Sequence, residues 1–158
     1  MKKIVLYTLG LLLFTVMSCT EEAEVWNSST LDYAGDWWAE HSIDGEGYGM
    51  ATLQTFNTAD DDGKEIWITD GGNFWDYKVK CPINKETLTF GGVDLQNHAY
   101  DSKVTIEDGK ILKNAATSKS GVTVDSIYYR ISFDDDEAPG IFYEVKGILK
   151  TGFAEDTY

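Results

Sequence analysis

The sequence predicts an all-β fold, a single antiparallel up-and-down β-barrel of about eight strands, and three observations predict it. Apolar and polar residues alternate with period two along several segments, which indicates strands with one buried and one solvated face. Short Gly-, Asp- and Asn-containing turn sequences separate these segments. After the N-terminal leader, no segment has sustained helical periodicity. A closed meander of short strands has no exposed edge, although a two-sheet sandwich fits the same pattern.

The first eighteen residues have the pattern of a cleaved signal peptide. Lys2 and Lys3 precede an apolar run at 4–16 that is too short to span a bilayer as a free helix. The following Val16-Met17-Ser18-Cys19 resembles a bacterial lipobox, in which the cysteine thiol receives a diacylglyceryl group. We therefore expect residues 1–18 to be removed and Cys19 to be the lipidation site. An ordinary secretory signal cleaved near Ser18 is the alternative.

Residues 19–33 are predicted to form a lipidated acidic tether, and residues 34–158 are predicted to form the barrel. Thr20 follows the cysteine where an Asp would favour retention in the inner membrane. The run Glu21-Glu22-Ala23-Glu24 is similar to the acidic export signal of Bacteroidetes surface lipoproteins, and a merely solvated tether has the same composition. We expect a lipid-anchored protein of the outer membrane of a Gram-negative bacterium, at its periplasmic face or at the cell surface.

The charge of the chain bears on its partners. It has 13 basic and 27 acidic residues and a net charge of −14, and removal of Lys2 and Lys3 with the leader takes this to −16. Such a surface repels phosphate backbones and anionic headgroups. Nucleic acid is therefore not expected to be a partner.

The strands are placed from alternation and turn residues. The segments predicted to be extended are 35–43, 48–57, 64–69, 74–83, 86–91, 102–107, 110–116, 122–133 and 140–151. The clearest alternation lies in 75–83, 127–133 and 141–149, each with its large apolar residues on one face. Asp108-Gly109 is the strongest hairpin signal, because this pair suits a type I′ turn.

The first strand begins with Gly35-Asp36-Trp37, which resembles the Gly-x-Trp motif of lipocalins and their calycin relatives. In that superfamily the Trp closes one end of the barrel, and an Arg from a late strand stacks across it. The resemblance implies that Gly35 and Trp37 close the barrel here, with Arg130, the single arginine, as the candidate lid. Arg130 lies earlier in the chain than the superfamily pattern predicts.

A closer resemblance is to Bacteroidetes lipoproteins described as lipid-binding putative hydrolases, which have a lipocalin-like fold. Ala34-Gly35-Asp36-Trp37-Trp38 at the start of the domain and residues 147–156 at its end carry the resemblance. It implies a lipocalin-like barrel and a lipid or another small hydrophobic ligand. No matching catalytic motif is found, so no catalytic residue is assigned.

The many aromatic residues could line a cavity for such a ligand, or they could fill the core of the barrel. Trp37 and Trp38 face opposite sides of one strand, so only one of them is expected inside. The candidate ligand-binding residues are Trp38, Trp67, Trp75, Tyr77, Tyr129 and Tyr143.

Other chemistry has weaker support in the sequence. A hydrolase would need His41 or His98 beside a nucleophile, and no Gly-x-Ser-x-Gly elbow is present. The acidic turns at 60–63 and 134–137 lack a calcium-loop pattern, and Cys81 is expected to be a buried apolar residue, so we expect no metal and no cofactor. The leading hypothesis is a lipid-anchored envelope protein that binds a small hydrophobic or amphiphilic ligand. The alternatives are a surface module for a partner protein or glycan, and a hydrolase of uncertain mechanism; the oligomeric state is left open.

Overall fold

The computed structural model describes residues 27–138 and 140–158, which fold into a closed barrel of antiparallel strands. The strands are β1 (Gly35–Ile43), β2 (Glu46–Asn57), β3 (Glu65–Thr69), β4 (Lys78–Asn84), β5 (Thr89–Gln96), β6 (Lys103–Thr117), β7 (Thr123–Phe133) and β8 (Tyr143–Leu149). Each strand pairs with the next along the chain, and β8 pairs with β1. The prediction of an all-β, up-and-down, eight-stranded barrel is confirmed.

Strand β7 illustrates why this sequence folds in this way. Ile127, Tyr129 and Ile131 are fully buried inside the barrel, whereas the intervening Tyr128 and Arg130 lie on its outer face. Because side chains of a strand alternate between faces, a period-two apolar pattern places every second residue in the core. Each buried isoleucine contributes roughly 1.5–3 kcal/mol by leaving water.

Side chains fill the interior of the barrel. The core is built from Tyr33, Trp37, Ala39, Leu53, Ile66, Ile68, Tyr77, Val79, Cys81, Phe90, Val104, Ile106, Ile111, Ile127, Tyr129, Ile131, Phe133, Tyr143 and Val145. Grooves formed by the described residues open to the outside, such as one of about 490 Å³ between Thr89 and Tyr128. Of the two interiors that the sequence allowed, the structure has the packed one.

The predicted hairpin at Asp108-Gly109 is wrong, because β6 runs straight through both residues. The pairing of β6 with β7 shifts between Glu107 and Lys110, and Asp108 has a φ of 55°, so the pair forms a β-bulge. A Cβ at position 109 would overlap the backbone and ring of Phe90. The glycine therefore serves close packing rather than a chain reversal.

Among the other strands, two differ most from their predicted bounds. The predicted strand 74–83 begins only at Lys78, because the preceding residues form a loop around the carboxylate of Asp70. The predicted strand 86–91 lies instead at Thr89–Gln96. Alternation marks which residues face inward, but it does not show where a strand gives way to a structured loop.

One end of the barrel is plugged, and we call it the closed end. The indole of Trp37 is buried there and donates a 2.8 Å hydrogen bond to the hydroxyl of Thr55, which in turn donates to the carbonyl of Tyr33. The phenol of Tyr33 donates to the carbonyl of Asn84 at 2.7 Å. The ring of Trp37 therefore lies buried inside this end of the barrel.

The chain enters the barrel at this closed end. Ser28 and Ser29 both donate to the carboxylate of Asp61 in the β2–β3 loop. Tyr33, which the predicted boundary assigns to the tether, is buried. Packing against the barrel thus begins before Ala34. The predicted signal peptide and Cys19 lie outside the described residues.

The C-terminal segment is fastened to the same end by Asp156. Its buried carboxylate accepts hydrogen bonds from Thr151 and from the backbone and hydroxyl of Ser120. Burial alone would raise the pKa of Asp156, but these hydrogen bonds lower it to about 2.

Within the described residues, no helix has the length and apolar character needed to cross a membrane.

Candidate ligand-binding site

The end of the barrel opposite Trp37 carries a cluster of aromatic rings, which we call the aromatic end. Its members are His41, Tyr48, Phe74, Trp75, Phe133 and Tyr143. They meet because β1 and β7 end here, β2 and β8 begin here, and the β3–β4 loop crosses the opening. Neighbouring strands of a meander run in opposite directions, so residues distant in sequence gather at one end.

Phe74 is at the centre of the cluster. Its ring stacks on His41 at 4.2 Å between centroids and lies 5.1 Å from the rings of both Tyr48 and Tyr143. Trp75 stacks on Phe133 at 4.7 Å with an interplanar angle of 11°. Tyr48 is 60% exposed and Phe74 and Trp75 are half-buried, so the upper surface of the cluster is accessible.

The buried carboxylate of Asp70 fixes the loop that presents these rings. Its Oδ2 atom accepts backbone hydrogen bonds from Phe74, Trp75 and Asp76 at 2.9 to 3.1 Å. Its Oδ1 atom accepts two more, one of them from Tyr77 at 2.9 Å. Hydrogen bonds to an ionised acceptor are among the stronger ones in proteins, so Phe74 and Trp75 stand on a preorganised loop.

Two carboxylates of the β7–β8 loop border the rings. Asp135 accepts hydrogen bonds from the indole of Trp75 at 3.2 Å and from the phenol of Tyr100 at 2.7 Å. Asp136 accepts one from the phenol of Tyr143 at 2.8 Å. Burial and the neighbouring Asp136 raise the pKa of Tyr143 to about 12, so this phenol stays a neutral donor.

A buried polar chain runs from the aromatic end into the core. The Nε2 atom of His41 lies 3.0 Å from the phenol oxygen of Tyr77, which is hydrogen-bonded to that of Tyr129. Burial lowers the pKa of His41 to about 4, although the charge of Asp70 acts in the opposite direction. Burial raises the pKa of both tyrosines, so the whole chain is uncharged at neutral pH.

The structure separates the six candidate ligand-binding residues into three groups. Trp75 and Tyr143 belong to the aromatic end, and Tyr77 and Tyr129 lie beneath it in the packed core. Trp38 and Trp67 are on the outer surface of the barrel, on β1 and β3. Trp75 is therefore the one predicted residue whose ring belongs to the cluster and is also partly exposed.

Cations of the protein cover the two outer tryptophans. Lys78 and Lys80 place their Nζ atoms 5.0 and 5.3 Å from the ring centre of Trp67. Lys150 lies 4.0 Å from the ring centre of Trp38. Cation–π contacts of this kind satisfy an exposed ring without a ligand.

Arg130 does not form the predicted lid over Trp37. It lies on the outer face of β7, where its guanidinium is 4.5 Å from the ring centre of Phe142 and pairs with Glu107 and Asp108. Its side chain alternates with the inward-facing Tyr129 and Ile131, so the strand register directs it away from the indole. Thr55 provides the polar partner of Trp37 instead.

Among residues 27–138 and 140–158, neither histidine is hydrogen-bonded through its ring to a serine or a cysteine. His41 bonds to a tyrosine, and the exposed His98 packs edge-on against Trp67 at 5.0 Å. Burial raises the pKa of the Cys81 thiol to about 12, far from a reactive thiolate. In the same described residues, no group of three His, Cys, Asp or Glu side chains could hold a metal ion.

Sequence reasoning missed His41, Tyr48, Phe74 and Phe133 as members of the site. His41 carried a usable signal, since it follows Trp37 and Ala39 at period two and therefore belongs to the inward face of β1. The role of Phe74 had no such signal, because it depends on the Asp70 loop.

One comparison with known proteins identifies a relationship. A profile of the family described as "Lipid-binding putative hydrolase" matches residues 22–154, which include all eight strands. No curated protein matches the chain.

Proposed function

Because the chain belongs to the lipid-binding putative hydrolase family, we propose that it binds a small hydrophobic or amphiphilic ligand at the aromatic end of its barrel. The observation that carries this proposal is the accessible surface of the aromatic cluster. Tyr48 is 60% exposed beside the half-buried Phe74 and Trp75. Ligand sites are mostly apolar surfaces with a few fixed polar groups, and here those groups are Asp135 and Asp136.

The packed core determines the form that binding takes. Residues beneath the cluster, such as Tyr77 and Tyr129, are fully buried in a filled interior. An acyl chain therefore lies across the rings of the aromatic end or inserts between them, rather than extending along the barrel axis. Insertion requires Phe74 or Tyr48 to move, which their partial exposure allows.

We further propose that the protein is anchored in the cell envelope through a lipid on Cys19, at the outer membrane. The lipobox-like Val16-Met17-Ser18-Cys19 supports this proposal, and two or more acyl chains give a stable anchor. The described residues begin at Asn27 beside the closed end, so the predicted tether joins the barrel at the end opposite the aromatic cluster. Acyl labelling that persists in Cys19→Ala would contradict lipidation at this residue.

Titration with dodecyl maltoside, a neutral amphiphile, below its critical micelle concentration tests ligand binding. Its alkyl chain is expected to change the fluorescence of Trp75, and Phe74→Ala to weaken binding by roughly tenfold, since the central ring of the cluster is lost. Trp67→Ala is the matched control, because that ring lies on the outer face of β3. Absence of any saturable response, or equal weakening by both substitutions, would contradict the proposed site.

A further inference from the structure

The loops at the aromatic end contain acidic residues but no lysine or arginine. Residues 44–45 contribute one acidic residue, 70–77 two, 97–102 one and 134–142 four, and none of these loops contains a lysine or arginine. Lysines directly follow two of these loops, Lys78 at the start of β4 and the exposed Lys103 at the start of β6. A concave or ringed surface lined by charges of one sign concentrates ions of the opposite sign.

The closed end is different. Its loops and the C-terminal segment include Lys64, Lys85, Lys119 and Lys150. The absence of lysine and arginine from the four loops of the aromatic end is thus a local feature and does not simply follow from the net charge of −14.

The aromatic rings outside the cluster differ from those of the cluster in their contacts with cations. Outside the cluster, Lys or Arg side chains lie over the rings of Phe56, Trp67, Tyr128, Tyr158, Phe142 and Trp38. Within the described part of the chain, no such cation lies over the rings of the six cluster residues, although Arg130 lies over Phe142 in the adjoining β7–β8 loop. This cluster has accessible ring faces and adjoining carboxylates, but no cation of its own.

Asp135 and Asp136 place carboxylates beside the rings of the cluster. Asp135 accepts hydrogen bonds from Trp75 and Tyr100, and Asp136 accepts one from Tyr143, so both carboxylates are held at the edge of the aromatic surface. A positively charged headgroup placed there would meet π faces and carboxylates together. Quaternary ammonium ions are recognised in proteins by this combination of aromatic faces and negative charge.

We propose that the amphiphile bound at the aromatic end carries a cationic headgroup, an alkylammonium or quaternary ammonium, whose charge lies between the rings and Asp135 and Asp136. This inference rests on the proposed function and adds the class of headgroup to it. The alkyl chain contacts Phe74 and Tyr48, and the ammonium group is at the border formed by the β7–β8 loop.

Three amphiphiles with the same dodecyl tail test it on the purified full chain. Dodecyltrimethylammonium, dodecyl maltoside and dodecanoate are titrated below their critical micelle concentrations, with circular dichroism to verify that the fold persists. We expect the ammonium compound to bind roughly tenfold more tightly than the carboxylate, with the maltoside between them. Binding of the maltoside without this order would overturn the cationic preference and leave the proposed function standing. Failure of all three would overturn both.

A matched pair of double variants separates local from overall charge. Asp135→Asn with Asp136→Asn removes two charges at the site while keeping hydrogen-bond acceptors. Asp60→Asn with Asp62→Asn removes two charges at the closed end. The first variant is expected to reduce the preference for ammonium over carboxylate to about threefold or less, and the second to retain the roughly tenfold preference. Equal effects of the two would show that the net charge, and not this site, selects the ligand.

Discussion

Acidification should destabilise this protein through a single buried histidine. His41 is 3% exposed, stacks on Phe74 and shares a hydrogen bond with Tyr77. Burial, partly opposed by the charge of Asp70, lowers its pKa from 6.5 to about 4. In the unfolded chain the imidazole takes up a proton at higher pH than in the native barrel. The free energy of unfolding therefore falls as the pH decreases through the interval between these two values.

The magnitude follows from the shift in pKa. Above pH 6.5 the imidazole of His41 is neutral in both states and its titration costs nothing. Between pH 6.5 and 4 the unfolded state binds more protons, so stability decreases by about 1.4 kcal/mol per pH unit. At pH 4 the accumulated loss from this one residue is about 3 kcal/mol, a substantial part of the stability of a typical domain.

The assay is urea unfolding of wild type, His41→Gln and His98→Gln between pH 7.5 and 4. Glutamine does not titrate, so His41→Gln should be less stable at pH 7.5 because of lost packing, but should lose about 3 kcal/mol less than wild type on acidification. Carboxylate titrations common to both proteins cancel in the difference. The exposed His98 serves as the matched control, and its variant should follow the wild-type profile. Parallel profiles for wild type and His41→Gln would refute the reasoning.

Three further predictions concern residues that position the fold. Asp70→Asn should lower the free energy of unfolding by about 2 kcal/mol, because an amide nitrogen cannot accept the backbone hydrogen bonds. Asp76→Asn on the same loop is the control and should lower the free energy of unfolding by less than about 0.5 kcal/mol. Urea unfolding measures both, and equal costs would remove Asp70 from its role. Trp37→Phe should cost about 2–3 kcal/mol through the lost bond to Thr55 and a small void, and an unchanged urea midpoint would contradict the plug at the closed end. The Cys81 thiol should not react with Ellman's reagent at pH 8 in the native protein, because burial raises its pKa to about 12, and it should react in urea. A rapid reaction of this thiol in the native protein would contradict its burial.

The barrel could be predicted because it depends on local patterns. Alternation in 127–133 and 141–149 shows which side chains face the core, and the register observed between β7 and β8 matches it, with Tyr129 opposite Val145. Asp108-Gly109 misled the prediction because the same positive φ that suits a hairpin also suits a bulge. The close packing of Gly109 against Phe90 involves a residue distant in sequence, so the local pattern does not contain it.

The candidate site was harder to predict because it is assembled from separate strand ends. Trp75 and Tyr143 were recognised as aromatic residues worth attention, but their juxtaposition with Phe74 depends on a loop folded around Asp70. The expected pair of Arg130 and Trp37 does not form, because Arg130 faces the outside of the barrel. Arg130 is one residue from Tyr129, and adjacent strand residues face opposite sides of the sheet.

The central claim is that a ligand binds at the aromatic end and not inside the filled barrel. Intermolecular nuclear Overhauser effects between the tail of bound dodecyl maltoside and the protein test it most directly. The account predicts contacts from the tail to the rings of Tyr48, Phe74 and Trp75, with none to the methyl groups of Ile106 or Ile127 in the core. Strong contacts to those core methyl groups would show that the barrel opens around its ligand and would contradict the claim.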